Sequence, residues 1–339
     1  MSDREPELRR GPPWVMEEMI DAELGLPARI SAEPAVSLVA ERVGEAASAG
    51  EAIVICGCGT SEHAARAIQA SLEDVAPTRR VVARDSFEVH LDPPDGGLLI
   101  AISHAAGTAA TRDAATGAVS RGARVLFITA CPEDAPEGVE AAGTPLYDAS
   151  WCHTVAYVSP ILTCALGAGL ESQTARELID CELAKRAQRR ADAIALARCD
   201  RLLIIGSGVD EVTASELALK IEEAAHVPCT PLGTEKVLHG HLPAADARTG
   251  AVLIRFDPSQ ARQRDDRTAN VAAAAAVLAM PTITLARPAL ASRAEALIAG
   301  AIALQLLTLE LSMARGTNPD LIRREQPLYR RVAELARAG

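Results

Sequence analysis

Three stretches of the sequence gather side chains that can do chemistry. The first is Glu216-Leu217-Ala218-Leu219-Lys220-Ile221-Glu222-Glu223, where spacings of four and three put Glu216, Lys220 and Glu223 on one helix face. A lysine so placed holds the neighbouring carboxylates or reaches a ligand oxygen; a solvated i,i+4 salt bridge is the plainer reading of the same residues. The second is a pair of small-residue turns, each leading from an apolar run into a helix. Gly57-Cys58-Gly59-Thr60-Ser61-Glu62 sets two hydroxyls at a helix N-terminus, where backbone N–H groups favour an anion. Ser103-His104-Ala105-Ala106-Gly107-Thr108-Ala109-Ala110-Thr111 repeats that design. Two such loops facing one crevice make a cradle for a phosphate or polyol, although Ser and Thr also stand at helix starts simply as N-caps. The third stretch is His239-Gly240-His241. Imidazoles two apart can share a metal ion, but no third and fourth ligand lies nearby in sequence, and Cys152-His153 has no evident oxyanion partner. Neither a metal nor a thiolate nucleophile is expected.

An internal repeat positions these residues. IVICGCG from Ile53 and LLIIGSG from Leu202 each end in G-x-G and run into an Ala-rich helical stretch; an offset of 149 relates both Gly57 to Gly206 and Glu73 to Glu222. The first turn lacks the third glycine of a dinucleotide fingerprint. Further apolar strands begin at Leu98, Arg124, Ala251 and Thr282, with helical windows between them at Gly107–Ser120 and Thr268–Leu278. Near-continuous apolar strands alternating with helices are what a parallel sheet buried on both faces requires. The expected fold is therefore α/β: two doubly wound parallel-sheet domains related by duplication, spanning residues 14–165 and 166–339. Helices are also expected at Trp14–Leu24, Val36–Ala47 and, stopped by Gly316, Ala291–Ala314. Ligands of such sheets sit beyond the carboxyl ends of the strands, after Ile55, Ile102 and Ile205.

Composition narrows the partners. The 339 residues fit roughly two domains, and 49% hydrophobic with 23% charged residues is globular balance. A net charge of −11 and 2% aromatics disfavour a nucleic-acid surface, which needs clustered cations and stacking rings. No uncharged apolar run reaches the roughly 20 residues of a membrane span, and the charged, Pro-rich start does not resemble a signal peptide, so a cytoplasmic protein is expected. The eight cysteines include no CxxC pair and fall mostly in apolar stretches, as core thiols.

Together these loops resemble the SIS (sugar isomerase) domain family, and the pairing of two modules resembles the isomerase half of glucosamine-6-phosphate synthase. The family's C-G-T-S is matched by Cys58-Gly59-Thr60-Ser61. Of its phosphate loop S-Q-S-G-E-T-A-D-T this chain keeps Ser103, Thr108, Ala109 and Thr111. Ala105 stands where a phosphate-binding serine is expected, and His104 replaces Gln, adding a donor that is partly charged below a pH of about 6.5. E-x-A-L-K-x-x-E is matched from Glu216 to Glu223, and H-G-P-L by His239-Gly240-His241-Leu242. The family's G-E-L-K is only loosely matched by Gly233-Thr234-Glu235-Lys236.

The resemblance implies a phosphosugar isomerase, or an amino-sugar-phosphate deaminase or deglycase. It implies that Gly59, Thr60, Ser61, Ser103, His104 and Thr108 bind the phosphate. Glu223 is implied as the base that moves a proton between C1 and C2, Lys220 as the charge beside the enediolate, and His239 for ring opening from a neighbouring subunit of a homodimer or larger oligomer. Such chemistry needs groups with pKa values near the operating pH and no cofactor. The chain begins Met1-Ser2 with no room for a cysteine-led glutaminase domain, so glutamine-fuelled amination is not expected. After Gly316 come Arg323, Arg324, Arg330 and Arg331 instead of the family's tail lysine, and arginine cannot form an imine. That substitution and Ala105 leave a non-catalytic sugar-phosphate-binding regulator as the alternative.

Overall fold

The computed structural model describes residues 6–75 and 80–335. In chain order its elements are α1 (Val15–Ala22), α2 (Leu26–Ser31), α3 (Pro34–Ala49), β1 (Ile53–Gly57), α4 (Thr60–Val75), β2 (Val81–Asp85), α5 (Ser86–Leu91), β3 (Leu98–Ile102), α6 (Ala109–Ser120), β4 (Arg124–Thr129) and β5 (Glu140–Gly143). There follow α7 (Val155–Gly167), α8 (Ser172–Leu183), α9 (Arg186–Leu196), β6 (Arg201–Gly206), α10 (Asp210–Ala224), β7 (Cys229–Gly233), α11 (Thr234–Lys236), β8 (Thr249–Arg255), α12 (Ala261–Val277), β9 (Thr282–Ala286), α13 (Arg293–Arg315) and α14 (Pro327–Leu335).

These elements form two compact units. Among the described residues, one takes 6–8, 22–75, 80–177 and 323–335, the other Arg9–Asp21 and Leu178–Ile322. The division differs from a cut after residue 165. Helix α7 stays with the first unit, packed on α3 and α4. Arg9–Asp21 joins the second, where the Asp320 carboxylate accepts from the N–H groups of Val15 at 2.9 Å and Met16 at 2.7 Å and so caps α1.

Each unit has a parallel sheet. The order is β2-β1-β3-β4-β5 in the first and β7-β6-β8-β9 in the second, so the strand order reverses between β1 and β3 and between β6 and β8. Every residue of β1 and β3 is buried, as runs of Ile, Val and Leu covered by helices on both faces must be. The first core joins Val54, Leu99 and Phe127 to Ala114, Ala115 and Ala118 of α6; the second joins Leu203, Ile205 and Leu253 to Val271 and Ala275 of α12. Alanine faces let the helices lie close to the sheets, which is how a chain so poor in aromatics fills its interior. Helix α13 is long and apolar enough to cross a membrane by length and composition, and it is buried within its unit. Ser292 caps its start and Gly316, at φ +70°, ends it. None of the eight cysteines forms a disulfide, and five are buried; burial pushes Cys56 and Cys164 up to about 12, leaving them inert thiols.

Candidate functional site

In the first unit β1 and β3 are neighbours, so the turns that follow them open at the same edge of the sheet. The chain leaves β1 through Gly57, where a Cβ would strike the backbone of Ser61. Gly59 follows in the left-handed region at φ +56°, and its carbonyl accepts from the N–H groups of Glu62 and His63 as α4 begins. Thr60 is buried at the first helical position and Ser61 is half-buried. After β3, Ser103 is buried and donates its hydroxyl to Thr108 Oγ1 at 3.3 Å; Thr108 is the N-cap residue of α6. Cys58 of the first turn has its Sγ 3.8 Å from Thr111 Oγ1 of α6, and the Thr111 hydroxyl donates to Ser86 Oγ of α5 at 2.9 Å.

His104 corrects the expectation of a charged donor. Its Nε2 accepts from the Asp148 N–H at 2.8 Å, which places the ring proton on Nδ1. The ring lies 4.9 Å from Tyr147 and 5.4 Å from His153, and burial pushes its pKa down to about 4. His104 is thus a neutral core imidazole near pH 6. Its partner Asp148 accepts from the N–H groups of Ser150, Thr154 and Ala156 and caps α7. Nothing in the sequence around Asp148 marks it, because its partners are backbone groups.

In the second unit, α10 carries Glu216, Lys220 and Glu223 on one face as their spacing requires. The face is not solvated. Lys220 and Glu216 are buried, and the ammonium lies 3.7 Å from Glu216 Oε1 and 2.5 Å from Glu223 Oε2. Glu223 keeps 24% of its side chain exposed, so one carboxylate is held by a buried cation while it stays open to a ligand. His239 lies in an irregular segment where Gly240 takes φ +146°. Its imidazole is exposed and pairs with Glu235 Oε2 at 3.1 Å rather than with the α10 trio. Arg267 grips the same carboxylate and holds it below the usual range. Glu235 belongs to the loosely matched Gly233-Thr234-Glu235-Lys236 segment and was not singled out from the sequence; its i,i+4 spacing to His239 was the signal. For a metal, Cys131, Glu133 and Asp134 offer three ligand atoms within 4.8 Å of one another, two of them on exposed side chains.

The arrangement is an α/β fold with two parallel sheets, a hydroxyl-lined turn at a strand-order reversal, and a lysine-held carboxylate. The sequence matches no protein-family model and no curated protein. Solved structures do match over nearly the whole chain. The C-terminal domain of glucosamine-fructose-6-phosphate aminotransferase from Francisella tularensis is 18% identical with a TM-score of 0.75, covering 93% of this chain and 99% of that one. Tagatose-6-phosphate ketose/aldose isomerase from Escherichia coli is 17% identical with a TM-score of 0.76, covering 94% and 98%. Glucosamine-6-phosphate deaminase from Thermotoga maritima is 17% identical with a TM-score of 0.71, covering 91% and 96%. The chain shares the fold of these SIS-domain proteins.

Proposed function

We propose that this protein interconverts a sugar phosphate between aldose and ketose forms, or releases ammonia or an amine from an amino-sugar phosphate, through an enediol or enediolamine. The observation that carries the reading is the Glu223 carboxylate, fixed 2.5 Å from the buried Lys220 ammonium and still partly exposed. Glu223 takes the proton α to the carbonyl and returns it one carbon along. Lys220 orients that carboxylate and offsets negative charge on the enediolate oxygen. Gly59, Thr60, Ser61, Ser103 and Thr108 hold the phosphate by N–H groups and hydroxyls. His104 shapes that loop through its ring packing. His239, exposed in the single chain, opens the sugar ring of a partner copy. Support comes from the fold shared with isomerases and a deaminase of phosphosugars.

The test is incubation with fructose 6-phosphate, glucosamine 6-phosphate and a fructosamine 6-phosphate in deuterated water. Deuterium should enter at C1 or C2 of one of them, and Glu223→Gln should abolish exchange while sparing binding. Exchange that survives the substitution removes Glu223 as the base. A second reading, a sugar-phosphate receptor without turnover, is favoured by the tail. Arg324 is buried with its guanidinium 4.7 Å from the Trp151 ring, and it cannot form the imine a lysine would. Binding without exchange for all three sugars supports that reading.

A further inference from the structure

The second unit carries the same turn as the first, filled differently. The registers pair Ile55 with Ile100 across β1 and β3, and Ile204 with Val252 across β6 and β8. Two residues beyond Ile55 and Ile204 lie Gly57 and Gly206, and at each a Cβ would strike the backbone four residues further on, at Ser61 and at Asp210. Gly59 at φ +56° answers to Gly208 at φ +64°. Counting five residues on from Ile100 and from Val252 reaches Ala105 in one unit and Asp257 in the other. Helices α6 and α12 then begin at matching positions, Ala109 and Ala261, so that Arg112 answers to Arg264.

Asp257 is buried, and its carboxylate lies on the second unit's turn as an anion would. Oδ2 accepts from the Val209 N–H at 3.0 Å, and Oδ1 accepts from the Ser259 N–H at 2.8 Å and the Ser259 hydroxyl at 2.5 Å. Arg264 lies 3.4 Å from Oδ2 and donates to Ser207 Oγ at 2.8 Å. A Cβ at Gly208 would strike both the carboxylate and the guanidinium. Backbone N–H, hydroxyl and guanidinium donors, the set that recognises a phosphate, are thus already directed at a group of the protein. In the first unit the equivalent turn has the methyl of Ala105 at this place, and Cys58–Ser61 and Ser103–Thr108 contain no acidic residue. Arg112 there donates to the carbonyls of Ala106 at 2.9 Å and Asp134 at 2.6 Å, not to a carboxylate.

We infer that Asp257 is a built-in anion that closes the second unit's turn to ligands, so that the chain takes its anionic group only at the first unit's turn, where Arg112 is the cation that faces it. The second clause rests on the reading of the first turn as the phosphate site; the first does not. An acidic residue at position 105 would close the first turn as Asp257 closes the second, and removing Asp257 would expose Arg264 and the Val209 N–H to a free anion.

The experiment is calorimetric titration of the full chain with inorganic phosphate and with fructose 6-phosphate. The unaltered protein should show a single class of site. Ala105→Asp should weaken binding of both by about tenfold or more, as loss of a charge-assisted contact does, while the circular dichroism spectrum is retained; Arg112→Gln should weaken it less. Asp257→Ala should add a second class of phosphate site, and Asp257→Ser repeats the measurement should the alanine variant fold poorly. Two classes of site in the unaltered protein, or no new phosphate site in either folded Asp257 variant, overturn the inference. A new site in those variants together with no sugar-phosphate turnover by the unaltered chain upholds the role of Asp257 and rejects the isomerase reading instead.

Discussion

At the scale of single residues the decisive group is Lys220. A lysine with 1% of its surface exposed keeps its charge only beside opposite charge, and Glu216 and Glu223 supply it from the helix turns before and after it. Replacing Lys220 by Met removes the cation and leaves the fully buried Glu216 carboxylate without it. The second unit should lose about 3–5 kcal/mol, the cost typical of breaking a buried pair from one side, read as a lowered urea midpoint with an unchanged slope. Adding Glu216→Gln to Lys220→Met should recover part of that loss. A Lys220→Met protein as stable as the parent would mean that the trio is not a coupled buried pair. Glu223→Gln keeps an acceptor for the ammonium and leaves Glu216 in place, so it should cost less than Lys220→Met. That difference makes it a clean probe of chemistry rather than of folding.

At the scale of elements, turns with forced glycines set where the side chains stand. Gly57→Ala would push a methyl into the backbone of Ser61 and displace the start of α4 from the end of β1. About 1–3 kcal/mol of stability should be lost, as in overpacked interiors, and phosphate affinity should fall with it; an alanine variant with native stability and affinity would show that the turn yields freely. Such turns were legible in the sequence because apolar strands announce themselves: the interior strands β1, β3, β4, β6 and β8 and the edge strand β9 all follow apolar runs, and the helix spacing of Glu216, Lys220 and Glu223 survives intact. The edge strands β2, β5 and β7 were not legible. β2 is half-exposed, β5 is four residues of Glu, Ala and Gly, and β7 contains Pro231, which a strand tolerates only where it needs no N–H partner on that side. What the site owes to long-range contact was hidden for the same kind of reason. The ring of His104 is turned into the core by a backbone N–H 44 residues away, and Asp257 reaches Val209 across 48 residues. Neither distance leaves a local pattern.

At the scale of the whole molecule, two units with separate cores carry buried titratable groups of opposite effect. In the first, burial pushes His104 down to about 4 from its ordinary 6.5, so the unfolded chain binds a proton that the folded chain refuses between those values. Its contribution is fully present above pH 6.5 and is lost as the pH falls towards 4. In the second, burial pushes Asp210 up to about 6 from 3.8; the N–H groups of Phe256 and Asp257, which donate to its carboxylate, and Arg255 pull against that, while the Asp257 charge adds to it. The folded chain there holds a proton that the unfolded chain releases, so this contribution is present below pH 3.8 and is lost as the pH rises through 6. Each is worth on the order of 1–3 kcal/mol across its window. Thermal unfolding followed from pH 4 to 7 should therefore show His104→Asn flattening a rise with pH, and Asp210→Asn flattening a fall. Hydrogen exchange should assign the first change to amides of β1 and β3 and the second to those of β6 and β8. If both substitutions shift stability in the same direction over that range, the two carriers of buried charge do not act as their surroundings dictate.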